Sequence, residues 1–269
     1  MIIWLASYPK SGNTWIRALL TSYITNNNKD VFEAIKNIER FPKKNQFQAI
    51  NKEKEVLESK NNIFKYFIPA QEKINLNNKL NMLKTHNFGG SIDGYPFSDK
   101  KNTAGVIYIV RDPRSVAVSY AFHANISFEE SVNELLNPNL VAINNGFREA
   151  RLSWKIHALS WMNSSWPRIL IKYEDLHKET ENHFKRILLF LSKFVKIEIN
   201  DDKIKKTVEQ CSFKNLSNLE SQKGFEERKG KTNFFRKGSA DEWQELLPRT
   251  LIEKIESNFN DEMKVLKYL

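Results

Sequence analysis

The sequence predicts an α/β fold: a P-loop-like, three-layer arrangement with a central, mainly parallel sheet flanked by helices. Three observations predict it. Short apolar runs alternate with segments of helical periodicity along the chain. Two of those runs pass through a short loop straight into a helix, as parallel strands joined by crossovers do. Neither an internal repeat nor a linker divides the 269 residues, so one domain spanning 1–269 accounts for them.

Ile2 to Ala6 is uniformly apolar and reads as a buried strand ending in Ser7, Tyr8 and Pro9. After Gly12, the residues Trp15, Ile16, Leu19, Leu20 and Tyr23 recur at helical spacing. The segment 27–81 is rich in Asn and Lys with weak periodicity, and is expected to form surface helices and loops. A second strand is predicted at Asn81 to Lys84, ending at Thr85 and His86. Gly105 to Val110 is the clearest buried strand, β-branched and bounded by Arg111, Asp112 and Pro113. Pro113 suits the first turn of the next helix, which carries Val116, Val118, Tyr120 and Phe122.

A helix is predicted over Arg148 to Met162, with Leu152, Ile156 and Leu159 in one stripe. Arg168 to Tyr173 reads as a strand, and Asp175 as the cap of a helix carrying Phe184, Ile187, Leu188 and Leu191. Residues 221–238 form a basic, Gly-containing loop with Lys223, Arg228, Lys229, Lys231, Arg236 and Lys237. A last helix is predicted to start near Pro248 and run to the end.

Composition narrows the function classes. At 41% hydrophobic and 28% charged residues, the chain reads as a soluble globular protein. Its net charge of +10 suits an anionic partner: nucleic acid, an acidic membrane face or a polyanionic nucleotide. Cys211 is the only cysteine, which excludes an intramolecular disulfide and a Cys-based zinc site and leaves a buried thiol. No leader peptide is evident, and no run approaches the roughly 18 apolar residues of a membrane span. A cytoplasmic location is expected.

The segment YPKSGNTW, Tyr8 to Trp15, lies between a strand and a helix, where backbone N–H groups and a helix N-terminus can face an anion. Gly12 permits close backbone approach, Lys10 adds positive charge and Thr14 a hydroxyl. It is not a Walker loop, because Lys10 precedes the only glycine. Together with Ile16 and Arg17, the segment closely resembles the 5′-phosphosulfate loop of the PAPS-dependent sulfotransferase family, whose sulfuryl donor is 3′-phosphoadenylyl sulfate. The resemblance implies that Lys10, Ser11, Gly12, Asn13, Thr14 and Trp15 hold the sulfate and 5′-phosphate. Many members carry Thr where Asn13 stands, a change that a backbone contact survives.

The stretch YIVRDPRSVAVSY, Tyr108 to Tyr120, places Arg111 at a strand end and Ser119 on the following helix. A planar guanidinium and a serine hydroxyl suit a phosphate. Alone, Arg-Asp-Pro is more often a helix start with a surface ion pair. The stretch resembles the family's 3′-phosphate motif, and that implies the role for Arg111 and Ser119. Further matches follow in order. Ser153 to Trp161 resembles a helix with a packing role, Tyr173 to Leu176 a segment whose tyrosine faces adenine, and Ser212 with Phe213 a base-contacting pair. Arg236, Lys237 and Gly238 match the basic loop that closes on the 3′-phosphate. Ala240 to Trp243 departs from the family's usual Gly-Asp-Trp. The segment 27–81 carries little resemblance and is where acceptor specificity is expected.

Sulfuryl transfer needs a base for the acceptor hydroxyl, and histidine is suited to it. Of the five histidines, His157 sits between tryptophans and reads as structural. His177 and His183 are expected on one charged helix at a spacing that does not face one another, and His123 at a helix end is ambiguous. His86 follows a strand in Lys84-Thr85-His86, the context in which the family carries its general base. The resemblance therefore implies catalytic roles for His86, Lys10 and Lys84, with PAPS as co-substrate, PAP as product and no metal. It implies an anionic nucleotide and an acceptor of unidentified class as partners. Two rival readings stand beside it. A P-loop kinase-like phosphotransferase needs a Walker lysine that is missing. Nucleic-acid binding draws on the +10 charge and on Phe225, Phe234 and Phe235, with no recognised motif beside them. The family's dimerisation motif is not evident, and the oligomeric state stays open.

Overall fold

The computed structural model describes residues 1–26, 30–48, 50, 63–144 and 146–269. Its strands are β1 (Ile2–Ser7), β2 (Asn81–Thr85), β3 (Ser91–Ile92), β4 (Tyr95–Pro96), β5 (Thr103–Val110), β6 (Val141–Asn144), β7 (Phe147–Ala150) and β8 (Arg168–Lys172). Four of them form the central sheet, all parallel, in the order β2-β1-β5-β8. The pairs β3–β4 and β6–β7 are antiparallel hairpins.

Alternation along the central strands explains why they read as unbroken apolar runs. Ile2, Trp4 and Ala6 of β1 join Val106, Tyr108 and Val110 of β5 in one core cluster. Ile3, Leu5, Ile107 and Ile109 belong to a second cluster, on the opposite face. Both faces are covered, so no position on β1 can be polar until Ser7. The helix Asn13–Ile24 covers the second face through Ile16, Leu19, Leu20 and Tyr23, and Phe184, Ile187 and Leu188 of the helix Thr180–Leu191 join it there. On the first face lie Val116 and Ala117 of the helix Pro113–Ala124 and Trp154 and Trp161 of the helix Trp154–Met162.

Four expectations need correction. The helix predicted from Arg148 starts at Trp154, where Ser153 caps it by accepting from the Ile156 N–H at 3.3 Å. Arg148 belongs to β7, and Leu152 takes a left-handed φ of 57°, which breaks helical propagation. Asp175 lies inside a short helix, Tyr173–Lys178, and the following helix starts after Glu179 without a side-chain cap. The C-terminal helix is two helices, Arg249–Asn258 and Asn260–Val265, because Phe259 turns inward against Trp154 at a ring distance of 5.2 Å. Finally, the segment 27–81 supplies core as well as surface: Phe41, Phe47, Phe64 and Phe67 are all buried. Residues 27–29, 49 and 51–62 of that segment lie outside the described residues.

Candidate active site

The parallel sheet directs three strand ends to one side. Ser7 pairs in register with Ile109, and Ala6 with Thr85, so the loops after β1, β2 and β5 emerge together. After β1 the chain turns through Lys10, with φ 65°, and Gly12, with φ 101°, which precedes the first helix. A Cβ at Gly12 would stand 2.8 Å from Cδ2 of Tyr173, so both backbone angle and ring contact demand glycine. Asn13 ties the loop down: its Nδ2 donates to the Leu5 carbonyl at 3.0 Å and approaches Ser7 Oγ at 3.3 Å. Its Nδ2 is spent on the loop's own shape, while its Oδ1 has no hydrogen-bond partner among the described residues.

After β5, Asp112 caps the helix Pro113–Ala124 by accepting from the Arg114 N–H at 2.8 Å, with Pro113 in the first turn. Arg114 turns back to Asp112 and Glu256, while Arg111 points across to the first loop. Its Nη1 donates to the Lys10 carbonyl at 3.0 Å and its Nη2 to the Ser239 carbonyl at 2.8 Å. Its guanidinium carbon lies 4.2 Å from the Tyr173 ring centre. The two turns are thus hydrogen-bonded to one another through Arg111.

Both turns line a single cavity of about 920 Å³. Lys10, Gly12, Asn13, Thr14 and Trp15 reach it from the first turn, and Arg111 and Ser119 from the second. Lys84 and His86 come from the end of β2, Tyr173 from the end of β8, and Ser212, Phe213, Arg236, Lys237 and Gly238 from farther along the chain. Ser11 alone of the expected set is not on the wall. It is fully buried, and its Oγ has no hydrogen-bond partner among the described residues; neither has Arg111 Nε. Unsatisfied donors in a cationic turn are what an anion would complete. Arg236 is also held by Glu242, and Gly238 lies against Phe213 so closely that a Cβ would stand 2.5 Å from its ring. Trp15 donates its indole N–H to the Cys211 carbonyl at 2.9 Å and meets Tyr173 edge-on at 5.9 Å.

His86 has a defined tautomer. Its Nδ1 lies 2.7 Å from the Ser7 carbonyl oxygen, which can only accept, so Nδ1 carries the proton and Nε2 keeps its lone pair. Burial, then the charge of Lys84, holds its pKa well below the usual histidine range, so the ring is neutral near pH 7. Lys10 is pushed down to about 7 by burial and then by Arg111, and its Nζ rests 3.6 Å from the Phe234 ring centre. Lys84 is pushed down to about 8, chiefly by burial. The other histidines divide. His157 is buried, with Nδ1 3.0 Å from the Tyr108 hydroxyl, as its packing role requires. His123 and His177 line the cavity, His177 on the short helix with Tyr173 and His183 on the next.

Sequence reasoning missed several wall residues. Glu227, inside the basic loop, accepts from Thr14 Oγ1 at 3.0 Å, Arg17 Nη1 at 2.5 Å and Lys84 Nζ at 3.0 Å. Burial pushes its carboxyl up, but Lys84 and Arg17 outweigh burial and hold it well below the carboxylate range. A carboxylate thus stands among donors expected to meet a phosphate or sulfate. Arg40, Arg151, Lys229 and Tyr120 were also missed, and they line the same cavity. Lys229 reads in the sequence only as part of the basic loop, and no local signal marks Glu227, Arg40, Tyr120 or Arg151 as wall residues.

The family model for the sulfotransferase domain matches residues 2–267. A flavonol 4′-sulfotransferase of Flaveria chlorifolia is 28% identical over 283 residues, covering 97% of this chain and 78% of the relative. Cytosolic sulfotransferase 12 of Arabidopsis thaliana is 29% identical over 180 residues, covering 63% of this chain and 53% of the relative. Among solved structures, a mouse sulfotransferase complexed with PAP superimposes with a TM-score of 0.61 at 23% identity, covering 98% of this chain and 84% of that one. A retinol dehydratase in complex with androsterone and PAP gives 0.64 at 19% identity, covering 98% and 80%.

Proposed function

We propose that this chain, which belongs to the sulfotransferase domain family, takes its sulfuryl group from 3′-phosphoadenylyl sulfate and passes it to an acceptor hydroxyl or amine. One observation carries the reading: two strand-to-helix turns, joined by Arg111, share a cavity with a neutral histidine of fixed tautomer. The residues fit a bisphosphorylated nucleotide. The first turn supplies the backbone N–H groups, Ser11, Thr14 and Lys10 for the sulfate and 5′-phosphate. Arg111, Ser119 and the 236–238 segment supply the 3′-phosphate end, and Tyr173, Trp15, Ser212 and Phe213 an apolar and polar seat for the base.

In the transfer, the acceptor oxygen bonds to sulfur as the bond from sulfur to the phosphate oxygen breaks, and the acceptor proton passes to His86 Nε2. Lys10 and Lys84 offset the charge that grows on the departing phosphate and the sulfuryl oxygens. The His86 Nδ1 bond to Ser7 keeps the base correctly oriented throughout. The kinase-like alternative gives way to the family match, and Thr14 stands beside Glu227 rather than a Walker lysine. Relatives named as cytosolic sulfotransferases support a cytoplasmic site of action.

Two measurements test the reading. Thermal shift should show stabilisation by PAP and none by ATP with magnesium. Label should pass from PAPS to an acceptor in the presence of a chelator. Stabilisation by ATP with magnesium but not by PAP would overturn it.

A further inference from the structure

The acceptor side of the cavity is basic. Arg40 bridges Lys84 along the edge of β2, and the Phe41 N–H donates to the Lys84 carbonyl at 2.8 Å, so Arg40 flanks the strand end that delivers His86. From the other side the Ala150 N–H donates to Asn87 Oδ1 at 2.9 Å, which sets the next residue, Arg151, beside the same turn. Glu149, 1% exposed, joins the two guanidiniums: Arg151 Nε donates to it at 2.8 Å, and Arg40 Nη2 to its other oxygen. Arg151 Nη1 donates to the Tyr120 hydroxyl at 3.1 Å. Lys229 completes the wall and has no ion-pair or hydrogen-bond partner among the described residues. Lys229, Arg40 and Arg151 line the same cavity, and after burial the two arginines lower the Lys229 pKa while Glu149 and Glu227 oppose them.

Arg40 and Arg151 therefore share the Glu149 carboxylate, and Lys229, on the same cavity wall, has none of its own among the described residues. Glu226 also lines the cavity, but Glu227 is taken up by Arg17 and Lys84. The phenylalanines of the segments next to Arg40 pack away from this wall: Phe41, Phe47, Phe67 and Phe97 contact one another in the core. A wall on which two arginines share one carboxylate and a lysine has none of its own carries a local surplus of positive charge, which suits an anionic guest.

We propose that the acceptor is anionic: a hydroxyl compound bearing a carboxylate, sulfate or phosphate group, which docks on Arg40, Arg151 and Lys229 while its hydroxyl meets His86. This rests on the sulfotransferase reading and names its second substrate by class. Glu149 holds the two arginines as a rigid fork, and Lys229, on the loop that also carries Glu227, adds the adjustable charge.

Matched acceptor pairs test it: 4-hydroxybenzoate against its methyl ester, and glucuronate against glucose, which separates phenolic from sugar acids. In at least one pair the acid should be preferred by about tenfold or more in kcat/KM, the worth of one charge-assisted contact. Lys229→Gln and Arg40→Gln should each shrink that ratio, raised salt should shrink it further, and PAP affinity reports that each variant is folded. Direct calorimetry of both members of each pair, with the nucleotide site saturated by PAP, gives a readout independent of turnover. Equal binding and equal kcat/KM within both pairs, or ratios that neither variant nor salt changes, would overturn the proposal. A protein that fails to bind PAP sinks the nucleotide reading instead, and acid-selective binding lost in Lys229→Gln would still uphold the anionic site.

Discussion

The proposed nucleotide end of the cavity is built around two compact strand-to-helix turns, whereas the proposed acceptor end takes Arg40, Tyr120, Arg151 and Lys229 from four separate segments. At the first, the local chain shapes the turns themselves: Gly12 sets one, Asn13 anchors it to Leu5, and Asp112 caps the helix beside Arg111, while Tyr173, Ser212, Phe213 and Arg236 reach the same wall from farther along the chain. At the second, buried ion pairs do the assembling, with Glu149 at the centre. The first kind of site is a property of short segments, and the second exists only once distant segments have met. His86 stands at the seam, held by Ser7 from the first strand.

The sharpest test is at that seam. His86→Ala should cut turnover by roughly a hundredfold to ten-thousandfold while a PAP titration stays as in the wild type. Normal turnover by the folded variant would remove the base from the scheme. Next comes the scaffold of the acceptor end. Glu149→Gln leaves the buried Arg151 guanidinium and the partly buried one of Arg40 without a counter-charge, and breaking such a pair costs up to about 3–5 kcal/mol, read as a lowered Tm. An unchanged Tm would mean that the arginines find water readily, and the contrast between the two ends would weaken.

At the nucleotide end, Arg111→Ala should weaken PAP binding by about 1.5–3 kcal/mol, the range for a hydrogen bond to a charged group. The PAP affinity should also fall as pH rises from 6.5 to 9. Lys10 and Lys84 are depressed to about 7 and about 8, so each is charged below its value and must regain a proton to meet the anion above it. Each such proton contributes at most about a factor of ten per pH unit. A flat profile would show that the lysines keep their protons or lie outside the contact. The smallest effect is expected from Glu227→Gln. It frees Thr14, Arg17 and Lys84 from a competing carboxylate and should tighten PAP by on the order of 1 kcal/mol. Weaker binding would instead make Glu227 a support for the loop.

Several misreadings have the same origin as the difference between the two ends. The apolar stripe Leu152, Ile156 and Leu159 is helical in spacing, yet Leu152 lies outside the helix, at a left-handed φ after the hairpin strand and the cavity-lining Arg151. The phenylalanines of 27–81 sit in a polar, weakly periodic segment, and only the fold reveals that they pack against Phe97. His177 carried no cavity signal because its neighbour Trp15 is far away in sequence and 6.4 Å away in space.

By itself the sequence determined the sheet, the two turns and most of the side chains that line the cavity between them. Those features are local: strand periodicity, a glycine at positive φ, a capped helix after an arginine. The tertiary structure alone decided the tautomer of His86, the carboxylate of Glu227 among the loop's donors and the cationic wall around Glu149. Each of these depends on charges and lone pairs 79 to 213 residues apart in the chain, and no short-range pattern encodes a contact closed over such a distance.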